Sequence, residues 1–195
     1  MSPISRGLLV FVAVLAVLIA GFGYENGWYG RATSEAAPLG GPFSLTDQNG
    51  ATRSDTEFRG KLMLIYFGYT NCPDTCPATL AAMSQALDQL GTAGGGIQPI
   101  FITVDPARDT PQQLKRYAAN FSPRLITLTG TAEQLTAVEH EFRVYASKVP
   151  GGPIDDYLLD HSSFIYLMDR DGKLARLIPS GEKPADMADD VRKYL

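Results

Sequence analysis

Two cysteines, two histidines and one tryptophan are all that this 195-residue chain holds of those residue types. No block of lysine or arginine occurs anywhere, and the net charge is −4. A nucleic-acid binder would show a basic face, so that class is excluded. No internal repeat is present, which excludes solenoid and propeller architectures. No C-x-x-C spacing exists, and no carboxylate motif of the zinc-hydrolase type accompanies either histidine. No proline stands between Pro153 and Pro179. With 45% hydrophobic residues the chain can nonetheless bury a core of ordinary size, and disorder is not indicated.

One segment lacks charge altogether. From Gly7 to Gly23 (GLLVFVAVLAVLIAGFG) every residue is apolar or small. At about 1.5 Å per residue this run is just long enough to cross a bilayer as one helix, with Tyr24 as interfacial anchor. Arg6 precedes it and Glu25 follows, so the positive-inside bias places the bulk of the protein outside the cytoplasm. A cleaved signal peptide is the alternative, although the run is long for one and Ala20 to Gly23 is a poor cleavage site. Both readings send the domain to the same compartment. The expected organisation is an anchor or signal peptide over 1–24, a small-residue linker over 25–41 and one domain over 42–195.

Within the domain, Phe43, Leu45 and the Asn49-Gly50 pair predict a short hairpin. Leu62 to Phe67 is a continuous apolar run, as in a strand buried on both faces. From Pro77 to Leu90 the apolar residues Leu80, Met83, Leu87 and Leu90 recur at helical spacing, with Gly91 as the stop. Strands are expected over Ile97–Val104 and Leu125–Leu128. Helices are expected after Asp109-Thr110-Pro111, and from the Thr131/Gln134 capping box to Arg143. Phe164–Met168 and Lys173–Ile178 form a terminal hairpin before a last helix from Pro184 to Tyr194. This order predicts an α/β, thioredoxin-like fold with an added N-terminal β-hairpin and parallel central strands.

Cys72 and Cys76 fall where the buried strand gives way to a helix, the end of an open sheet at which sites form. A helix N-terminus favours thiolates, and four-residue spacing puts both sulfurs on one side of the first turn. Such a pair can close a disulfide, exchange disulfides or clamp a soft metal. A disulfide closing so short a loop constrains little chain. A thioredoxin-type oxidoreductase normally carries C-x-x-C and a proline in the loop facing it. Here the spacing is one residue longer, and that loop reads Asp160-His161-Ser162-Ser163. An imidazole in place of the proline favours metal. His140, flanked by Glu139 and Glu141 within a helix, reads as a solvated surface residue. Two Cys and one His suit Cu(I), Cu(II) or Zn(II) and exclude Ca or Mg. Asp74 and Asp109 are candidates either for hydrogen bonds behind the ligands or for turn and cap roles. Thr70 and Cys72 faintly suggest a peroxidase T-x-x-C turn, one residue short.

Several segments resemble the Sco/SenC family of copper-binding, thioredoxin-like assembly factors for cytochrome c oxidase. They are Pro42-Phe-Ser-Leu-Thr-Asp-Gln-Asn-Gly50, Tyr66-Phe-Gly-Tyr-Thr-Asn-Cys-Pro-Asp-Thr-Cys-Pro77, Val104-Asp-Pro-Ala-Arg-Asp-Thr-Pro111, Leu128-Thr-Gly-Thr131, Tyr145-Ala-Ser-Lys-Val149 and Tyr157-Leu-Leu-Asp-His-Ser162. The resemblance implies that Cys72, Cys76 and His161 bind copper and pass it to the binuclear copper centre of cytochrome c oxidase subunit II. A carrier rather than an enzyme is thus the leading expectation; the runner-up the resemblance implies is a thiol–disulfide reductase, with the Cys72/Cys76 pair acting on that subunit's cysteines or other exported thiols. Other copper carriers and thiol–disulfide oxidoreductases are further expected partners. The implied setting is a single-pass inner membrane protein whose domain faces the periplasm or an equivalent space. Asn71 departs from the family, many of whose members carry His before the first cysteine.

Overall fold

The computed structural model describes residues 11–20, 22, 38–149 and 157–195. The chain divides into two units, Met1–Ala37 and Pro38–Leu195. In the first, residues 11–20 and 22 are helical with exposed side chains. Among the described residues, no helix is long and apolar enough to cross a membrane. The remainder of the expected span, and the linker as far as residue 37, lie outside the described residues.

The second unit is an α/β domain. β1 (Ser44–Asp47) and β2 (Thr52–Ser54) form the predicted hairpin. Gly50 takes the left-handed conformation that its turn requires (φ +84°), and Asp47 closes the loop by accepting the N–H groups of Asn49 and Ala51. β3 (Leu62–Gly68) and β4 (Ile97–Thr103) pair in parallel, as do β4 and β5 (Ile126–Thr129). β8 (Phe164–Met168) and β9 (Leu174–Pro179) complete a seven-stranded sheet in the order β2-β1-β5-β4-β3-β8-β9. All seven residues of β3 are buried, which is why that segment is apolar without alternation. Burial of each large side chain there contributes about 2 kcal/mol.

Among the described residues of this unit, four α-helices accompany the sheet: α1 (Thr75–Gln89), α2 (Pro111–Ala118), α3 (Ala132–Phe142) and α4 (Pro184–Arg192). Thr110 caps α2 by accepting the Gln113 N–H, with Pro111 in its first turn, and Thr131 and Gln134 form the predicted capping box on α3. Two local expectations change. α1 begins at Thr75 rather than Pro77, so Cys76 sits inside its first turn. A separate two-stranded ribbon, β6 (Ala146–Lys148) with β7 (Leu159–His161), stands where no strand pattern was legible. Strands of three residues are too short to show a period.

Candidate metal centre

The site is built where β3 ends. Gly68 closes the strand, Tyr69 is buried, and Cys72 follows on a turn whose N–H donates to the Tyr69 carbonyl at 3.3 Å. Asp74 then adopts a non-helical conformation and opens α1, but its exposed side chain caps nothing. Cys76 is fully buried and Cys72 half-buried, and both are free thiols. The Cys76 N–H, unpaired within the first turn of the helix, donates to the Cys72 sulfur at 3.3 Å. The helix start thus serves the sulfur directly, as its dipole requires.

His161 arrives from β7, 85 residues along from Cys76, with Nε2 at 3.4 Å from the Cys76 Sγ. Its Nδ1 lies 3.0 Å from the Ser162 carbonyl oxygen. A carbonyl only accepts, so Nδ1 carries the proton and Nε2 presents its lone pair to the sulfurs. The rings of Tyr66 and Tyr69 stand edge-on to the imidazole, with centroids at 6.1 and 5.9 Å, and fix its tilt. The two sulfurs and an imidazole nitrogen all lie within 4.8 Å of one another. Three soft-to-borderline donors at that spacing fit one copper or zinc ion.

Ionisation is divided unequally between the sulfurs. Hydrogen bonding from the Cys76 thiol, aided by the Cys76 and Asp74 N–H groups, outweighs burial and holds Cys72 far below the ordinary thiol range. The same hydrogen bond to Cys72, together with burial, pushes Cys76 up. The accessible sulfur therefore carries the first negative charge. Burial pushes the Tyr66 phenol up as well, so it stays a donor, 3.8 Å from the Cys76 sulfur.

Asp109 is no mere cap residue. Fully buried, it accepts the N–H and hydroxyl of Thr70 at 3.0 and 2.6 Å and the Thr103 hydroxyl at 2.5 Å. Thr70 is committed to that carboxylate. Sequence reasoning missed Tyr66, Tyr69, Asp105, Arg108 and Tyr157 as parts of the site's surroundings, because spacing alone does not show which aromatic side chains face a loop. His140 is exposed on α3, the solvated position expected.

The SCO1/SenC family model matches residues 31–195. This chain belongs to the SCO1/SenC family. Among its relatives, the protein sco1 of Schizosaccharomyces pombe is 44% identical over 166 residues, covering 84% of this chain and 63% of that protein. The chain thus spans less than two thirds of that relative. The Bradyrhizobium japonicum ScoI structure with copper bound shares 44% identity and a TM-score of 0.75, covering 80% of this chain and 99% of that one. The structure of BsSco, a Sco-family cytochrome c oxidase assembly protein with a disulfide switch, has 28% identity and a TM-score of 0.64, covering 81% of this chain and 95% of that one. The described residues of the second unit therefore carry the thioredoxin-like Sco fold, with the cysteine pair and His161 brought together.

Proposed function

We propose that this chain is a copper metallochaperone that binds one copper ion through Cys72, Cys76 and His161 and delivers it to the binuclear copper site of cytochrome c oxidase subunit II. The observation that carries the reading is the convergence of three donor atoms within 4.8 Å on a scaffold shared with a copper-bound relative. Copper is the cargo, and the chain's residues supply what a carrier needs. Cys72 is already deprotonated near neutral pH. Cys76 releases its proton as metal replaces it, so loading liberates a proton and strengthens with pH. His161 offers Nε2 in the neutral form because Ser162 holds the proton on Nδ1.

An accessible sulfur is also what hand-over requires. A groove of about 230 Å³, lined by Tyr69, Cys72, Asp74, Leu158 and His161 among others, opens onto Cys72. An incoming thiolate can reach the metal there while Cys76 still holds it from below. The delivery side of the reading is supported by relatives that assemble cytochrome c oxidase. The apolar run from Gly7 to Gly23 supports an inner-membrane tether with the domain on the periplasmic side, near a membrane-bound acceptor.

The alternative is a thiol–disulfide reductase acting on the oxidase cysteines. Its supporting observation is a depressed, half-exposed Cys72 beside a buried Cys76, the asymmetry of an attacking and a resolving thiol. Loading the reduced chain with Cu(II) separates the two. The carrier takes one copper per chain with thiolate-to-copper absorption, and disulfide formation or Cys72→Ser abolishes it. Absence of that absorption in the reduced wild type contradicts the carrier reading.

A further inference from the structure

Asp105 and Asp109 lie on the segment between β4 and α2, and neither belongs to the donor cluster. Their carboxylates nevertheless reach opposite sides of it. Asp109 holds the cysteine side through Thr70, two residues before Cys72. The Thr103 hydroxyl donates to Asp109 and accepts the Asp105 N–H at 2.9 Å, linking the two acids. Asp105 turns the other way, accepting the Tyr157 hydroxyl at 2.6 Å and Arg108 Nε at 2.5 Å. Tyr157 stands four residues before His161. Hydrogen bonds through Asp109, Thr103 and Asp105 thus link Thr70, two residues before Cys72, to Tyr157, two residues before β7.

The histidine strand needs such support. A two-stranded ribbon of three-residue strands is marginal by itself, and β6–β7 is not part of the main sheet. On its C-terminal side His161 is fixed by β8, which joins the sheet at Phe164. On the N-terminal side the described ties beyond the β6–β7 pairing include the Val149 N–H to the Leu158 carbonyl, at 2.9 Å, the Leu159 N–H to the Tyr69 hydroxyl, at 3.2 Å, and the buried Tyr157. The Arg108 guanidinium lies 3.7 Å over the Tyr157 ring, and the Lys148 ammonium 3.8 Å over it. The buried Nη atoms of Arg108 have no hydrogen-bond acceptor among the described residues. Its charge is balanced by Asp105 and by aromatic faces, so the cation is committed to this clasp.

We propose that Asp105 and Asp109 form a bracket that sets the distance between the cysteine pair and His161, with Tyr157 as the positioning residue through which it grips the histidine strand. The proposal rests on the copper-donor reading of the trio and adds how the third donor is kept in reach.

Tyr157→Phe is the test, since it deletes one hydroxyl and keeps the ring under both cations. In the reduced, metal-free full chain, through-space NMR contacts from the His161 ring to the Tyr66 and Tyr69 rings should weaken or vanish. Cu(I) affinity, read by competition with a chelator, should fall about fivefold, as for one lost hydrogen bond. The fall should not add to that of His161→Ala in the double variant. Asp105→Asn keeps an acceptor for Tyr157 and should retain the ring contacts that Asp105→Ala loses. Unchanged ring contacts in Tyr157→Phe, additive losses in the double variant, or identical behaviour of the two Asp105 variants would overturn the bracket. The ring contacts need no metal, so they decide the bracket even if the wild type binds no copper, the result that would sink the carrier reading instead.

Discussion

Gly68 and Cys76 touch: a Cβ added to Gly68 would lie 2.8 Å from the Cys76 sulfur and 3.0 Å from the Phe101 ring. The end of the central strand therefore forms the floor on which the buried sulfur rests, and only a glycine leaves room for it.

Gly68→Ala should displace that sulfur, because the ring on the other side is packed into the core. Overpacking of this kind costs about 1–3 kcal/mol. Urea unfolding of the metal-free protein measures the loss. Copper affinity should fall as well, whereas unchanged affinity and stability would show that the sulfur has space to retreat.

Stability of the reduced, metal-free protein should peak in pH near the ordinary thiol value of about 8.5. Cys72 is depressed in the fold, so its stabilisation is fully present above the unfolded pKa and is lost as pH falls through the folded one. Cys76 is raised, so above the unfolded pKa the native state holds a proton the unfolded chain releases, and stability declines. Unfolding free energies across pH, set against Cys72→Ser and Cys76→Ser, should lose the rising limb in the first variant and the falling limb in the second. A flat profile in the wild type would refute the unequal division of charge.

Alkylation should follow the same asymmetry. Iodoacetamide at neutral pH should modify Cys72 first, with a rate that persists well below the pH at which ordinary thiols stop reacting. Peptide mapping after brief exposure checks this, and preferential labelling of Cys76 would contradict it.

Asp109→Ala should destabilise the domain by about 2–4 kcal/mol, since it strands the Thr70 N–H and two hydroxyls inside the protein. Thermal unfolding reads the loss. Because Thr70 adjoins the cysteine loop, backbone amide exchange at Asn71 and Cys72 should rise more than exchange in α4, where a purely global effect would raise both together.

Much of this site is legible in the amino-acid sequence, for physical reasons that differ between residues. The apolar run of β3 and the helical spacing after Cys76 place the cysteines at a strand–helix junction, because periodicity reports burial. His161 stands out because no proline occupies its loop. The start of α1 was expected two residues late, since a helix can begin before its first apolar residue. The β6–β7 ribbon stayed hidden, being too short for a pattern and held by side chains distant in sequence. Asp105 and Tyr157 lie 52 residues apart, and only the fold brings them together. Likewise, Asp109 reads equally as a cap residue or as a hydrogen-bond partner behind the ligands until Thr70 is seen against it.

The copper-carrier reading depends on His161 more than on either sulfur, since a dithiol alone also serves a reductase. The most direct measurement is Cu(I) affinity of the reduced wild type beside His161→Ala, with disulfide turnover of both followed in parallel. Copper affinity should fall at least tenfold in the variant, about 1.4 kcal/mol, with turnover retained. Equal copper affinity in the two proteins, or loss of turnover without loss of copper, would contradict that reading.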